Sequence, residues 1–323
     1  MNLEELAAAV RGYRGVTRKA PVLEVARSLI CIDDKSVIAA YGEDAAALKF
    51  GDQILLLAAD GILQDLVRKN PYWAGYCSVL VNVNDIAAMG GLPIAMVNVL
   101  SCGKTSERHA IVKGMSAACS KFGVRMVGGH LHPDTSYSAV AVAILGRTDM
   151  RHLVLSSGAR EGDSVLFAID LDGRFTPGIP YSWDTTSRKT PQEIRALVGT
   201  MHAVAPHLTA GKDISNPGSL GTLGMLLESS RCGAEIYVDS IPRPERVELL
   251  RWLLAYQGCG FVVTCRETKK EKVLRLFRAR GFEIAACGRV TDDLRLTIVR
   301  DGQRTVLFDL RKHTFGCRPP QKI

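Results

Sequence analysis

Residues 72–89 place apolar side chains at helical spacing, and Pro71 suits the start of that helix. A helix that is apolar on most faces must be buried on most faces. Yet Asn82, Asn84 and Asp85 interrupt it within VLVNVNDIAAMGG. Leaving such groups buried without partners costs on the order of 1–3 kcal/mol each, so the fold has to bring partners to them. A hydrated Mg²⁺ bridging carboxylates to phosphates supplies partners of the right kind, because magnesium takes oxygen ligands.

The elements around this helix define its setting. SVIAAYG and then AAALKFG-DQILLLAAD read as strands, with Gly51-Asp52 marking a turn. PIAMVNVLSC is a strand, residues 106–122 are a helix, and VRMVGGHLH and SAVAVAILGRT are two more strands. An N-terminal helix and a flexible basic stretch, RGVTRKAP, precede them. Four or five strands with two helices make one α+β domain over residues 1–150. A polar, Gly-containing stretch then leads to the buried-looking strand SVLFAIDL, and residues 151–323 form a second, mixed α/β domain. Its expected parts are helix 191–205, the strand before Ser215, helices 219–230 and 244–256, the strands AEIYVD, FVVTC and FEIAACGRV, a basic helix, and a hairpin turning at Asp301-Gly302.

Two domains also suit 323 residues, at roughly 150 per domain. A hydrophobic share of 47% against 23% charged describes a soluble globular chain. No apolar run reaches the roughly 18 residues that span a bilayer, and the start lacks signal-peptide order. A cytoplasmic protein with no membrane partner is expected. Nine scattered cysteines include no C-x-x-C pair and read as reduced thiols packed as small hydrophobes. The net charge of +8 concentrates in RETKKEKVLRLFRARG, where apolar residues recur at helical spacing and no aromatics interleave with the basic ones. That is a solvated helix face rather than a nucleic-acid stripe. A nucleotide or another anionic, phosphorylated small molecule is the simpler partner.

Four carboxylates stand where a fold gains little from them: Asp44 in YGEDAAAL, Asp60 after ILLLAA, Asp85, and Asp213 in AGKDISNPG. Singly, each has a turn or cap explanation. Converging without a cation, they repel one another and raise at least one pKa. His130 and His132 alternate on a strand near Asp134, a weak zinc pattern without a further ligand motif. Gly218, Gly221 and Gly224 recur every third residue at a helix start. They either expose backbone N–H groups to an anion or let the helix pack closely. The 173–190 stretch is long for a connection, and Trp183, Asp184, Thr185 and Thr186 make it the expected substrate-side loop. Arg18 and Lys19 either reach transferring phosphates or belong to a solvated linker.

GEDAAAL, LAADGI, NVNDIAAMGG-P, VGGHLHPD and DISNPGSLGTLG occur in an order and spacing that resembles the AIR synthase-like superfamily, from about residue 15 to residue 291. The chain is most similar to AIR synthase-related proteins of the methanogenesis marker protein 2 type. The resemblance implies a two-domain AIR synthase-like α+β fold whose N-terminal strands form a barrel with a second subunit, hence a homodimer. It implies ATP in a shared groove, with Mg²⁺ on Asp44, Asp60, Asp85 and Asp213, and with Asn82, Gly128, Gly129 and His130 beside the nucleotide. His130 departs from the kinases of the superfamily, which carry an acidic residue there. The implied activity is ATP- and Mg²⁺-dependent phosphoryl transfer to, or activation of, a small metabolite. Asp44, Lys212 and Asp213 are the expected catalytic residues, since such chemistry rests on positioning and charge neutralisation. The alternatives are a kinase like thiamine-monophosphate kinase, and an ATP-binding sensor or assembly subunit without turnover.

Overall fold

The computed structural model describes residues 1–29, 34–256, 258 and 260–317. Cys31 and Cys259 lie outside them; the seven described cysteines are free thiols, six of them buried. The first domain is built on β1 (Val37–Ala39), β2 (Ala46–Phe50), β3 (Gln53–Gly61), β4 (Leu92–Ser101), β5 (Arg125–His132) and β6 (Ala139–Thr148). These form one sheet in the order β1-β2-β3-β6-β4-β5, antiparallel except for the β4–β5 pair. Helices Pro71–Ala88 and Thr105–Phe122 pack on each other and cover one face. Period-two alternation sends Ile54, Leu56, Val140, Val142 and Ile144 into that covered face. On the opposite face Leu57, Val97, Val99 and Val127 stay exposed in the single chain.

The Pro71–Ala88 helix is capped by the Asn70 side chain, which accepts from the Trp73 amide at 3.0 Å, and Pro71 takes the first turn, where its missing N–H costs nothing. Fourteen of its residues are buried because the second domain covers what the sheet leaves open.

That second domain holds β7 (Ser164–Ile169), a small hairpin of β8 (Arg174–Phe175) and β9 (Trp183–Asp184), β10 (Ala210–Asp213), β11 (Gly233–Tyr237), β12 (Gly260–Cys265), β13 (Glu283–Thr291), β14 (Arg295–Arg300) and β15 (Gln303–Asp309). Apart from the hairpin, they form a seven-stranded sheet ordered β10-β12-β7-β13-β11-β14-β15. All its pairs are antiparallel except β11–β14. The Gly218–Ser230 helix is buried almost along its whole length. One core cluster runs from Ala87 and Met89 through Val154 to Leu166, Ala168 and Phe261, so the two domains share apolar packing.

Several local expectations are corrected. The basic stretch expected to be flexible contains a short helix, Arg14–Thr17, held down by the buried Val16, and Val22–Leu29 is helical too. The expected helix 191–205 divides at Gly199 into Pro191–Val198 and Thr200–Val204. Of the expected helix 244–256 only Leu249–Leu253 forms, started by Glu248 accepting from the Leu250 and Arg251 amides. The first sheet has six strands, because the short β1 pairs with β2. The final hairpin turns at Asp301-Gly302, both left-handed.

Candidate cation and nucleotide site

Three separate elements each deliver one carboxylate to a common point. Asp44 lies in the connection between β1 and β2, Asp85 is in the last turn of the Pro71–Ala88 helix, and Asp213 ends β10. One oxygen from each falls within 4.8 Å of the others. The Lys212 ammonium donates to Asp44 Oδ1, and the Asp213 amide donates to Asp44 Oδ2 at 3.3 Å. The Lys212 and Asp44 side chains are 3% and 5% exposed, so this ion pair is effectively out of water.

The charges do not balance: three carboxylates face one ammonium. Burial, and then the negative charges of Asp60, Asp213 and Asp44, hold the Asp85 carboxyl well above the usual range. Burial followed by Asp44 does the same to Asp213, with Lys212 opposing. For Lys212, burial favours the neutral amine, but the charges of Asp44 and Asp213 outweigh it and the ammonium is retained. These are the marks of converging like charges in a desolvated place.

Asp60, the fourth expected ligand, ends β3 opposite Val142 and stands outside the close group. It remains accessible as a residue, although burial of its carboxyl raises its pKa against the pull of Lys19. Lys19 also presses on Asp213. Asn82, one turn before Asp85, is fully buried; its amide donates to the Ser78 carbonyl at 2.9 Å, and its Oδ1 has no partner. Gly128 and Gly129 lie on β5 beside Asn98 of β4. A Cβ at Gly129 would sit 2.6–2.7 Å from Asn98 atoms, so only glycine allows this approach. His130 and His132 share the exposed face of that strand with ring centroids 4.5 Å apart. Among the described residues neither they nor Asp134 join a group of three possible metal ligands.

These motifs fall within the regions where the chain matches two family profiles, the AIR synthase related protein N-terminal domain over residues 42–148 and its C-terminal domain over 179–301. The chain belongs to the AIR synthase-related family. A protein of Methanocaldococcus jannaschii is 38% identical across 98% of this chain and 100% of its own length. The thiamine-monophosphate kinase of Buchnera aphidicola is 25% identical over 85% of this chain and 91% of that protein. Among solved structures, PurL of Thermotoga maritima complexed with ATP superposes with a TM-score of 0.73 at 16% identity. It covers 99% of this chain, which spans about half (53%) of PurL. The fold is thus the two-domain α+β fold of this family, and ATP-using enzymes are among its members.

Other singled-out residues have structural surroundings. Trp183, Asp184, Thr185 and Thr186 are all under 8% exposed. Asp184 accepts from the Thr186 and Ser187 amides at 3.0 and 2.9 Å, and the Thr186 hydroxyl receives the Tyr76 phenol at 2.9 Å. The Trp183 indole donates to the Asp170 carbonyl and lines a small apolar pocket with Ile214, Trp252 and Tyr256. Both alternatives for the glycine row can now be weighed. A Cβ at Gly218, Gly221 or Gly224 would strike Leu253, Pro217 or Phe315 within 2.7 Å, so close packing accounts for all three. Sequence reasoning overlooked Glu43, Ser156 and the Glu228–Ser230 run, although Glu43 adjoins Asp44 and is the first acid of the GED motif.

Proposed function

We propose that this chain binds Mg·ATP at the Asp44–Asp85–Asp213 centre and uses it to phosphorylate or activate a small anionic metabolite. The observation that carries this reading is the convergence of three carboxylates from three elements upon a single ammonium. The donor set suits magnesium: all oxygen, mostly carboxylate, and under-neutralised. Asp60 lies near enough to join through its charge. Asn82, with its unpartnered buried oxygen, and the Gly128–Gly129–His130 strand edge form the nucleotide side.

Bound Mg²⁺ would neutralise phosphate charge there. The chain's own residues do the rest. Lys212 holds Asp44 against Asp213 and removes one unit of the repulsion between them, while Lys19 adds positive charge at the same mouth. The apolar pocket beside Trp183 borders Ile214, next to Asp213, and gives the acceptor an unwetted wall. A homodimer is supported by the exposed outer face of the first sheet, whose Leu57, Val97, Val99 and Val127 gain from a partner's matching face. Among the described residues no helix is long and apolar enough to cross a membrane.

The test is a melting-temperature series with ATP, Mg²⁺ and both, followed by product analysis over a panel of small acids and phosphate esters. The proposal expects stabilisation by ATP only with Mg²⁺, and ADP formation that depends on at least one acceptor. ATP stabilisation that ignores Mg²⁺ would contradict the cation site. Metal-dependent binding with no turnover on any acceptor would leave a nucleotide-binding subunit instead.

A further inference from the structure

The three carboxylates repel one another, and Asp44 belongs to the short connection between β1 and β2. Its backbone is held from behind. The Glu43 carboxylate accepts from both the amide and the hydroxyl of Ser156, the latter at 2.7 Å, and the Ser156 hydroxyl lies 3.1 Å from the Gly42 carbonyl. Ser156 is fixed in turn by Ser230, whose hydroxyl donates to the Ser156 carbonyl at 2.7 Å and accepts from the Ala159 amide at 3.0 Å. The neighbouring Ser229 hydroxyl reaches the Gly42 and Cys317 carbonyls at 3.4 and 3.2 Å. Glu228, 1% exposed, accepts from the Thr314 hydroxyl and the Phe315 and Cys317 amides at 2.7–3.0 Å. Gly42 has φ of 100°, and a Cβ there would meet the Cys317 carbonyl oxygen at 2.4 Å. On the other side, the Ala45 amide points at the Met89 sulfur at 3.0 Å, four residues beyond Asp85.

We infer that Glu43, Ser156 and Ser229 are positioning residues: with Glu228 and Ser230 they form a clasp that fixes Asp44 relative to Asp213. The inference rests on the cation-site reading above and deepens it. The clasp joins the first domain's loop, the interdomain linker and the end of the Gly218–Ser230 helix, so the separation of the carboxylates is set across the domain boundary. Partners behind a metal ligand commonly change affinity ten- to a hundred-fold.

Mn²⁺ titrations followed by electron paramagnetic resonance, on the full chain, test this. Ser156→Ala combined with Ser229→Ala is expected to weaken Mn²⁺ binding about ten-fold or more and to speed amide exchange at residues 43–46. Glu43→Gln, which keeps an acceptor for Ser156, is expected to stay near wild type, whereas Glu43→Ala follows the double variant. A lower melting temperature with unchanged Mn²⁺ affinity in the double variant would overturn the clasp and leave the cation site standing. A wild-type chain that binds no Mn²⁺ would remove the cation site, and the clasp with it.

Discussion

Two lysines, Lys212 buried and Lys189 partly buried, sit in opposite electrostatic situations. Lys189 lies in the 173–190 loop, where its ammonium meets Asp170 and Asp172 carboxylates at 3.0 Å and the Asp172 and Thr185 carbonyls at 2.9 and 3.1 Å. Asp172 is 90% exposed, so its share of that charge is solvated. Beside it, Lys121 of the Thr105–Phe122 helix donates to the Thr186, Ser187 and Lys189 carbonyls and ties the loop to the first domain. There the two carboxylates lie against one ammonium, and three loop carbonyls are taken up by Lys121. Lys212, by contrast, faces Asp44 with Asp85 and Asp213 crowded against the same point. The first arrangement ties a loop to the fold, whereas the second is the under-neutralised cluster at which we propose that a cation binds.

Substituting each lysine by methionine separates the two. Either change strands a buried carboxylate, and breaking a buried pair this way costs on the order of 3–5 kcal/mol. Chemical denaturation is expected to show losses of that order for both Lys212→Met and Lys189→Met. Added Mg²⁺ should recover much of the loss at Lys212 and none at Lys189. Equal recovery, or none at either, would erase the distinction.

A smaller effect is expected from pH. Asp85 and Asp213 bind protons more tightly in the folded chain than at the ordinary carboxyl value of 3.8. A raised carboxyl pKa destabilises the folded state once the group ionises. The penalty is absent below the unfolded value and grows as pH rises toward the folded one. Without divalent cations, stability should therefore fall as pH climbs from about 4 through the acidic range. Mg²⁺ stabilisation should widen in the same direction. Denaturant midpoints measured at several pH values with Mg²⁺ or EDTA check this, and a gap independent of pH would count against the converging charges.

Much of this was legible in the sequence. Periodicity located nearly all the strands and the two long helices of the first domain, because each has one buried face and clean ends, such as the Asn70 cap and the Gly51 turn. The polar interruption of the Pro71–Ala88 helix pointed at Asp85. Sequence could not show that Asp44 and Asp213, 169 residues apart, meet through one backbone amide. Nor could it tell Trp183–Thr186 from a surface loop, since that segment's polar composition is satisfied internally by Tyr76, Asp184 and Lys121. The glycine row looked the same for anion binding and for packing until Leu253 and Phe315 were seen against it. The helix expected over 244–256 starts only after a turn in which the Val247 amide donates to the Pro244 carbonyl, and it has ended where the Tyr256 amide donates to the Tyr181 carbonyl.

Calorimetric titration of Mg²⁺ with a non-hydrolysable ATP analogue into Asp85→Asn and Asp184→Asn tests the central claim most directly. Asp85→Asn removes a charge from the under-neutralised cluster, and Asp184→Asn removes one from the 173–190 loop. The account predicts that Asp85→Asn loses Mg²⁺-dependent binding while remaining folded, and that Asp184→Asn is less stable yet binds as wild type does. Wild-type affinity in Asp85→Asn would contradict it.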